Sequence, residues 1–173
     1  MADVKEPNQV NVGTHIPQKS AKFCEYMPYS SREAFKRLRT NMLLSLGEAL
    51  ENNTNIVGIT SAQPSEGKST VAINLAYSLA EQGKAVILLD CDLRRPSVHT
   101  NMGIPQMPGL TEVMSGRINL SNAVTRYKSS TNSTHFDLIV SGELPDNPSE
   151  ILGSRDFLRD AGQDVQPCGI PNT

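Results

Sequence analysis

Apolar residues at Phe35, Leu38, Met42, Leu46 and Ala49 recur at three- and four-residue steps, which predicts an amphipathic helix. Ser30 followed by Glu33 has the form of a capping box at its start, and Asn52-Asn53 closes it. Asn55 to Thr60 is a short apolar strand that runs straight into Ser61-Ala62-Gln63-Pro64-Ser65-Glu66-Gly67-Lys68-Ser69-Thr70. Val71 to Gln82 returns to helical spacing through Ile73, Leu75, Ala76, Leu79 and Ala80, and Gly83 is its stop. Ala85 to Leu89 is continuously apolar, as a strand buried on both faces should be. Strand, loop, helix and strand in this order make a βαβ unit with a parallel sheet and a right-handed crossover.

Beyond Asp92 the periodicity fades, and Pro96, Gly103, Pro105, Pro108 and Gly109 punctuate a long loop. Short helices are expected at Leu110 to Met114 and at Leu120 to Val124, with a third strand at Phe136 to Val140. Pro145, Asn147 and Pro148 form a turn before a helix that opens at Ser149. This divides the chain into a polar arm (1–29), a domain (30–160) and a Gly- and Pro-containing tail (161–173) without apolar pattern. No internal repeat is present.

With 173 residues the chain can bury one core. Its net charge of -2 and 20% charged residues include no basic tract longer than Lys36-Arg37, which argues against nucleic acid as a partner. No apolar run is long enough to span a bilayer, and the first residues lack the basic-then-apolar form of a secretory signal. Cys24, Cys91 and Cys168 stand far apart, so neither a disulfide framework nor a zinc site is expected. Cys91 is read as a small core residue. The expectation is a cytoplasmic protein.

The chemistry concentrates at 62–70. Ala62 to Thr70 fits a P-loop with Ala in the first position, and it sits between a strand and a helix, as that motif requires. Backbone N–H groups of the Pro64-Ser65-Glu66 loop, from Ser65 on, turn inward toward phosphate oxygens, and the following helix adds the positive end of its dipole. Gly67 lets the backbone approach closely, Lys68 reaches the β- and γ-phosphates, and Ser69, followed by Thr70, offers its hydroxyl to Mg²⁺. ATP and Mg²⁺ are therefore the expected cofactors. The plain alternative is a surface turn ahead of a helix.

Asp90 and Asp92 follow the second strand at its C-terminal end, where open parallel sheets place ligands. Beside a P-loop, Asp90 can accept a hydroxyl proton and Asp92 can organise water on a metal ion. Alternatively the pair caps the loop ahead of a solvated Arg94-Arg95.

These residues resemble a family. Ala62-x-x-Pro64-x-Glu66-Gly67-Lys68-Ser69-Thr70 together with Leu88-Leu89-Asp90-x-Asp92-x-Arg94-Arg95-Pro96 is similar to the bacterial tyrosine autokinases of capsule and exopolysaccharide synthesis. Glu33 to Asn41 resembles the EAYRxLRTN helix of that family, Gly109 to Gly116 its GLSxxLxG segment, and Gly142 to Leu152 its GxxPPNPSELL segment. The likeness runs in order from about Tyr29 to Ser154. It implies an α/β P-loop NTPase fold, a parallel sheet flanked by helices, that transfers the γ-phosphate of ATP to tyrosine. It also implies a ring of subunits and a membrane-spanning polysaccharide chain-length regulator as activator. Without a span of its own, the chain is similar to the separate-subunit type, held at the inner face of the membrane through that partner.

Two departures stand out. The E-x-x-R-x-x-R oligomer contact of the family becomes Glu33-x-x-Lys36-x-x-Arg39, and lysine lacks the bidentate fork of arginine. An amphipathic packing helix is the other reading of that segment. After the PSELL-like segment the family continues to a strand ending in Asp, a second acid for Mg²⁺, which this sequence lacks; the domain is read as incomplete, and its activity as weak. A non-catalytic nucleotide-binding partner of the membrane regulator is a second reading. A Min/Par-type ATPase is a third, disfavoured by Gln63 and Pro64-Ser65-Glu66 where those ATPases carry lysine and glycines.

Overall fold

In the computed structural model, residues 23–46 and 55–152 are described. A 3-10 turn at Cys24–Tyr26 leads into helix α1 (Tyr29–Leu46). The helix starts one residue before Ser30: the amides of Ser31 and Arg32 donate to the Pro28 carbonyl at 3.1 and 3.2 Å. Pro28, with its fixed φ and missing N–H, opens the helix in place of the expected cap. The Asn52-Asn53 end lies outside the described residues.

Helix α2 (Lys68–Glu81) starts at Gly67, whose φ of 93° belongs to the left-handed region. Its residues Ile73, Ala76, Tyr77 and Ala80 form one buried stripe at helical spacing. It ends as expected at Gly83, where the amides of Gly83 and Lys84 return to the carbonyls of Ala80 and Leu79. Strand β1 (Ile87–Leu89) follows, then helices α3 (Val98–Met102), α4 (Leu110–Met114) and α5 (Leu120–Ala123), strands β2 (Thr125–Lys128) and β3 (His135–Ile139), and helix α6 (Pro148–Leu152).

The sheet order is β1-β3-β2. β1 and β3 are parallel, with Ile87, Leu88 and Leu89 opposite Asp137, Leu138 and Ile139. β2 runs antiparallel to β3, so the sheet is mixed where an all-parallel one is expected from the pattern. Thr-Arg-Tyr-Lys carries no strand periodicity, because this edge strand buries only Tyr127. Arg126 instead clamps Asp137 across the pair with two bonds, at 2.7 and 2.9 Å. α3 likewise occupies part of what reads as loop, anchored by the buried Val98 and Met102.

Side-chain alternation splits the core in two. Leu88, Phe136, Leu138 and Val140 face α1 and α2 on one side of the sheet. Ile87, Leu89 and Ile139 face α4, α5 and α6 on the other. Helices on both faces of the sheet match the α/β expectation.

Two corrections concern the ends of the sheet. Asn55–Thr60 forms no ladder among the described residues, and Ile56 and Val57 are 77% and 47% exposed. Among the described residues β1 bonds to β3 on one side only and no strand forms a ladder with 56–60, and a strand without a ladder gains little from burial. The arm, conversely, is not free to residue 29. Phe23 is 2% exposed, edge-on to Tyr77 and Tyr127 with centroids 5.3 and 5.2 Å away. Beside it the Glu25 carboxylate accepts from the Tyr127 hydroxyl at 2.5 Å, from the Ser129 and Ser130 hydroxyls, and from the amides of Ser130 and Thr131.

Burial raises the pKa of Glu25, but those bonds together outweigh it and hold the group below its ordinary 4.5. Its contribution to stability is therefore complete above the unfolded-state value and is lost as pH falls through the lower folded-state value. Glu25→Ala, which strands the buried Tyr127 hydroxyl, should cost about 2 kcal/mol at neutral pH. Urea unfolding in neutral and in acid solution checks this, since the gap between parent and variant should shrink in acid.

Candidate active site

The loop before α2 is exposed, and it is shaped by two residues with left-handed backbone. Ser65, at φ 65°, is the one non-glycine position of this kind among the described residues, and Gly67 is the other. Consecutive N–H groups in such a conformation face one concavity, a nest suited to anions. Glu66 closes the loop by accepting from the Gln63 amide at 3.1 Å, and the Ser61 hydroxyl donates to the Gln63 carbonyl at 2.9 Å. No side chain caps the start of α2, so the first-turn amides of Lys68, Ser69 and Thr70 remain for a ligand. A Cβ on Gly67 would meet nothing within 4 Å, so its role is conformational rather than steric.

Asp90 lies directly beyond β1 and is 4% exposed. Its Oδ1 accepts from the Asp92 amide at 3.1 Å and its Oδ2 from the Val98 amide at 3.2 Å. Burial pushes its pKa up, the two amides pull it back in part, and the charge of Asp92 adds to the rise. Asp92 is half-buried and accepts from the Arg95 amide at 3.0 Å. Both carboxylates thus hold the 90–98 loop in shape, the capping role left open by the sequence. Each carboxylate oxygen has a further lone pair, so capping and chemistry are compatible.

Ser97 escaped the sequence reading. Its hydroxyl donates to the Ser69 hydroxyl at 2.7 Å and so joins the loop after β1 to the first turn of α2. One clue lay in its position, one residue before Val98, whose amide Asp90 holds. Ser69, Ser97 and the Asp90 loop form one connected unit next to Lys68. Cys91, expected in the core, is instead exposed, because its neighbours Asp90 and Leu93 take the inward positions.

Glu33, Lys36 and Arg39 lie elsewhere. Glu33 and Lys36 pair within α1 at 3.0 Å. Arg39 turns inward: its Nη1 donates to the Ser78 carbonyl at 2.6 Å and lies 3.7 Å from Glu81. Ser78 is ten residues along α2 from Lys68, about 15 Å by helical rise. This cluster therefore takes no part in the phosphate loop.

A P-loop nest at a helix N-terminus, beside an acid-tipped strand of an α/β sheet, defines a P-loop NTPase. The ParA family model described as the NUBPL iron-transfer P-loop NTPase matches residues 52–133. The sequence is 41% identical over 123 residues to the tyrosine-protein kinase YwqD of Bacillus subtilis, covering 71% of this chain and 49% of that protein. It is 34% identical over 130 residues to the tyrosine-protein kinase etk of Escherichia coli, covering 75% of this chain and 17% of that one. The solved kinase domain of Escherichia coli ETK superposes with a TM-score of 0.65 at 35% identity, over 76% of this chain and 49% of that chain. The VpsO kinase domain superposes at 0.57 and 30% identity, over 78% and 67%.

The chain belongs to the bacterial tyrosine-protein kinase family. It spans about half the length of the Bacillus relative. Among the described residues no helix is long and apolar enough to cross a membrane.

Proposed function

We propose that this chain carries the nucleotide-binding part of an ATP-dependent protein-tyrosine kinase domain that acts in capsule or exopolysaccharide synthesis. The observation that carries the reading is the Ser97–Ser69 bond, which brings the Asp90 loop against the phosphate loop. Lys68 meets the β- and γ-phosphates, and the amides from Ser65 through Thr70 line the phosphate cradle, with Pro64 setting its first turn. Ser69, Asp90 and Asp92 are the groups that would hold Mg²⁺, directly or through water. The donor set fits that hard ion, which binds a few protein oxygens together with substrate phosphates. Mg²⁺ supplies charge neutralisation at the γ-phosphate. Asp90, at the end of β1 beside the phosphate loop, accepts the tyrosine hydroxyl proton when it holds Mg²⁺ through water rather than directly.

Segment 56–60, which forms no ladder among the described residues, and the edge of β1 that pairs with no described strand are suited to a strand between them, and a strand ending in an acid there supplies the remaining carboxylate. The activator is a membrane-spanning polysaccharide chain-length regulator that holds the chain at the cytoplasmic face of the membrane. In a ring of subunits, Glu33 and Lys36 face outward, while Arg39 is committed to α2.

A second reading is a nucleotide-binding partner without catalysis. It draws support from Asp90, both of whose oxygens already accept loop amides.

Substitution of the acids separates the two. In a chain extended by such a strand, Asp90→Asn should remove phosphotransfer and leave nucleotide binding largely intact, while Asp92→Asn should raise the Mg²⁺ concentration required. Nucleotide-analogue fluorescence and phosphotyrosine immunoblotting provide the two readouts. Parent-like tyrosine phosphorylation in both variants would overturn the roles assigned here.

A further inference from the structure

We infer that Tyr29 is a phosphoryl-acceptor site of this chain, modified at its phenolic oxygen by a tyrosine kinase of its own family. The kinase reading above supplies the source of phosphate, and the acceptor follows from where the tyrosines lie.

The sequence has four tyrosines, all within the described residues. Tyr77 and Tyr127 are 4% and 0% exposed. The Tyr77 hydroxyl accepts from the Asn132 amide nitrogen at 3.0 Å, and that of Tyr127 is held by Glu25. Transfer to either needs the core opened, because the attacking oxygen must come within about 3–3.5 Å of phosphorus. Tyr26 is half exposed, but its ring leans on Phe23, with centroids 6.3 Å apart, and its neighbour Glu25 is an anchored anion. A phosphate there would meet like charge.

Tyr29 differs on each count. It is 70% exposed and is the first residue of the 18-residue helix α1. A phosphate borne there sits near the positive end of that helix, and Arg32, exposed and one turn on, lies on the same face. Lys36, whose pKa is raised chiefly by its bond to Glu33, also lies within electrostatic reach of Tyr29. A dianionic group at Tyr29 thus competes with Glu33 for Lys36 and changes the charge of the helix face assigned above to subunit contact.

The step balances. The Tyr29 oxygen attacks the γ-phosphorus of ATP in line, and an oxygen–phosphorus bond forms as the bond to the bridging β,γ-oxygen breaks. ADP leaves with that electron pair, and the phenolic proton passes to a carboxylate of the kinase.

The test incubates the whole chain with Mg²⁺ and ATP, alone and with the Bacillus subtilis relative YwqD, and maps phosphotyrosine by mass spectrometry. Phosphate is expected at Tyr29, lost from the chain in Tyr29→Phe and retained in Tyr26→Phe. Label at Tyr29 in the mixed reaction alone supports the site, even where the chain shows no kinase activity of its own. Label confined to Tyr26, Tyr77 or Tyr127 overturns it and leaves the kinase reading standing. An unlabelled chain beside a self-phosphorylating YwqD overturns it as well.

Discussion

Lys68→Met is expected to weaken binding of Mg²⁺ and ATP by at least about a hundredfold, equivalent to about 2.8 kcal/mol. Lys68 is the first residue of α2 and stands half-buried at the mouth of the nest formed around Ser65 and Gly67. Its ammonium is the one full positive charge at the start of that helix, and the helix dipole and loop amides supply only partial charges. Methionine keeps the length and packing of the stem, so the loss should appear in affinity and not in folding. Fluorescence titration with an ATP analogue, alongside far-ultraviolet circular dichroism, checks both halves. Unchanged affinity in the variant would sink the phosphate-loop assignment.

Gly109→Ala is expected to destabilise the fold by about 3 kcal/mol, the upper range for forcing an atom into a packed interior. A Cβ there would lie 2.3 Å from the Gly142 nitrogen and 2.4 Å from the Val140 oxygen, both backbone atoms that cannot rotate away. These two segments are knotted together. The amides of Leu110 and Thr111 donate to the carbonyls of Val140 and Ser141, while the Glu112 carboxylate accepts from the amides of Gly109 and Glu143 at 2.7 and 3.0 Å. Thermal unfolding measures the effect; a variant that melts with the parent would show that α4 and the end of β3 separate at little cost.

Local signals carried the sequence reading where they agreed with packing. The stripe of α2, its glycine stop, the apolar runs of β1 and β3 and the loop at 62–70 were legible because each expresses its own periodicity or turn chemistry. Features that depend on distant partners were not. Tyr127 and Arg126 form a strand because Phe136 and Asp137 lie opposite them, and Phe23 is buried because Tyr77 and Tyr127 leave a place for it. Segment 56–60 shows the converse, since this apolar, β-branched run forms no ladder among the described residues. At the site the loop and both acids were visible as motifs, whereas Ser97 became visible only through its bond to Ser69. The basic helix could be read two ways, and the structure turns Arg39 toward Ser78 and Glu81.

The proposal that this fold passes a γ-phosphate to tyrosine is tested most directly by label transfer from γ-labelled ATP. The measurement compares the chain as it stands with a chain extended by an apolar, acid-ending strand to pair with 56–60. Near-background phosphotyrosine is expected in the first, and ATP-dependent phosphotyrosine, abolished by Lys68→Met, in the second. Tight binding of Mg²⁺ and ATP by the extended chain with no label on tyrosine would contradict the kinase reading and leave a nucleotide-binding partner in its place.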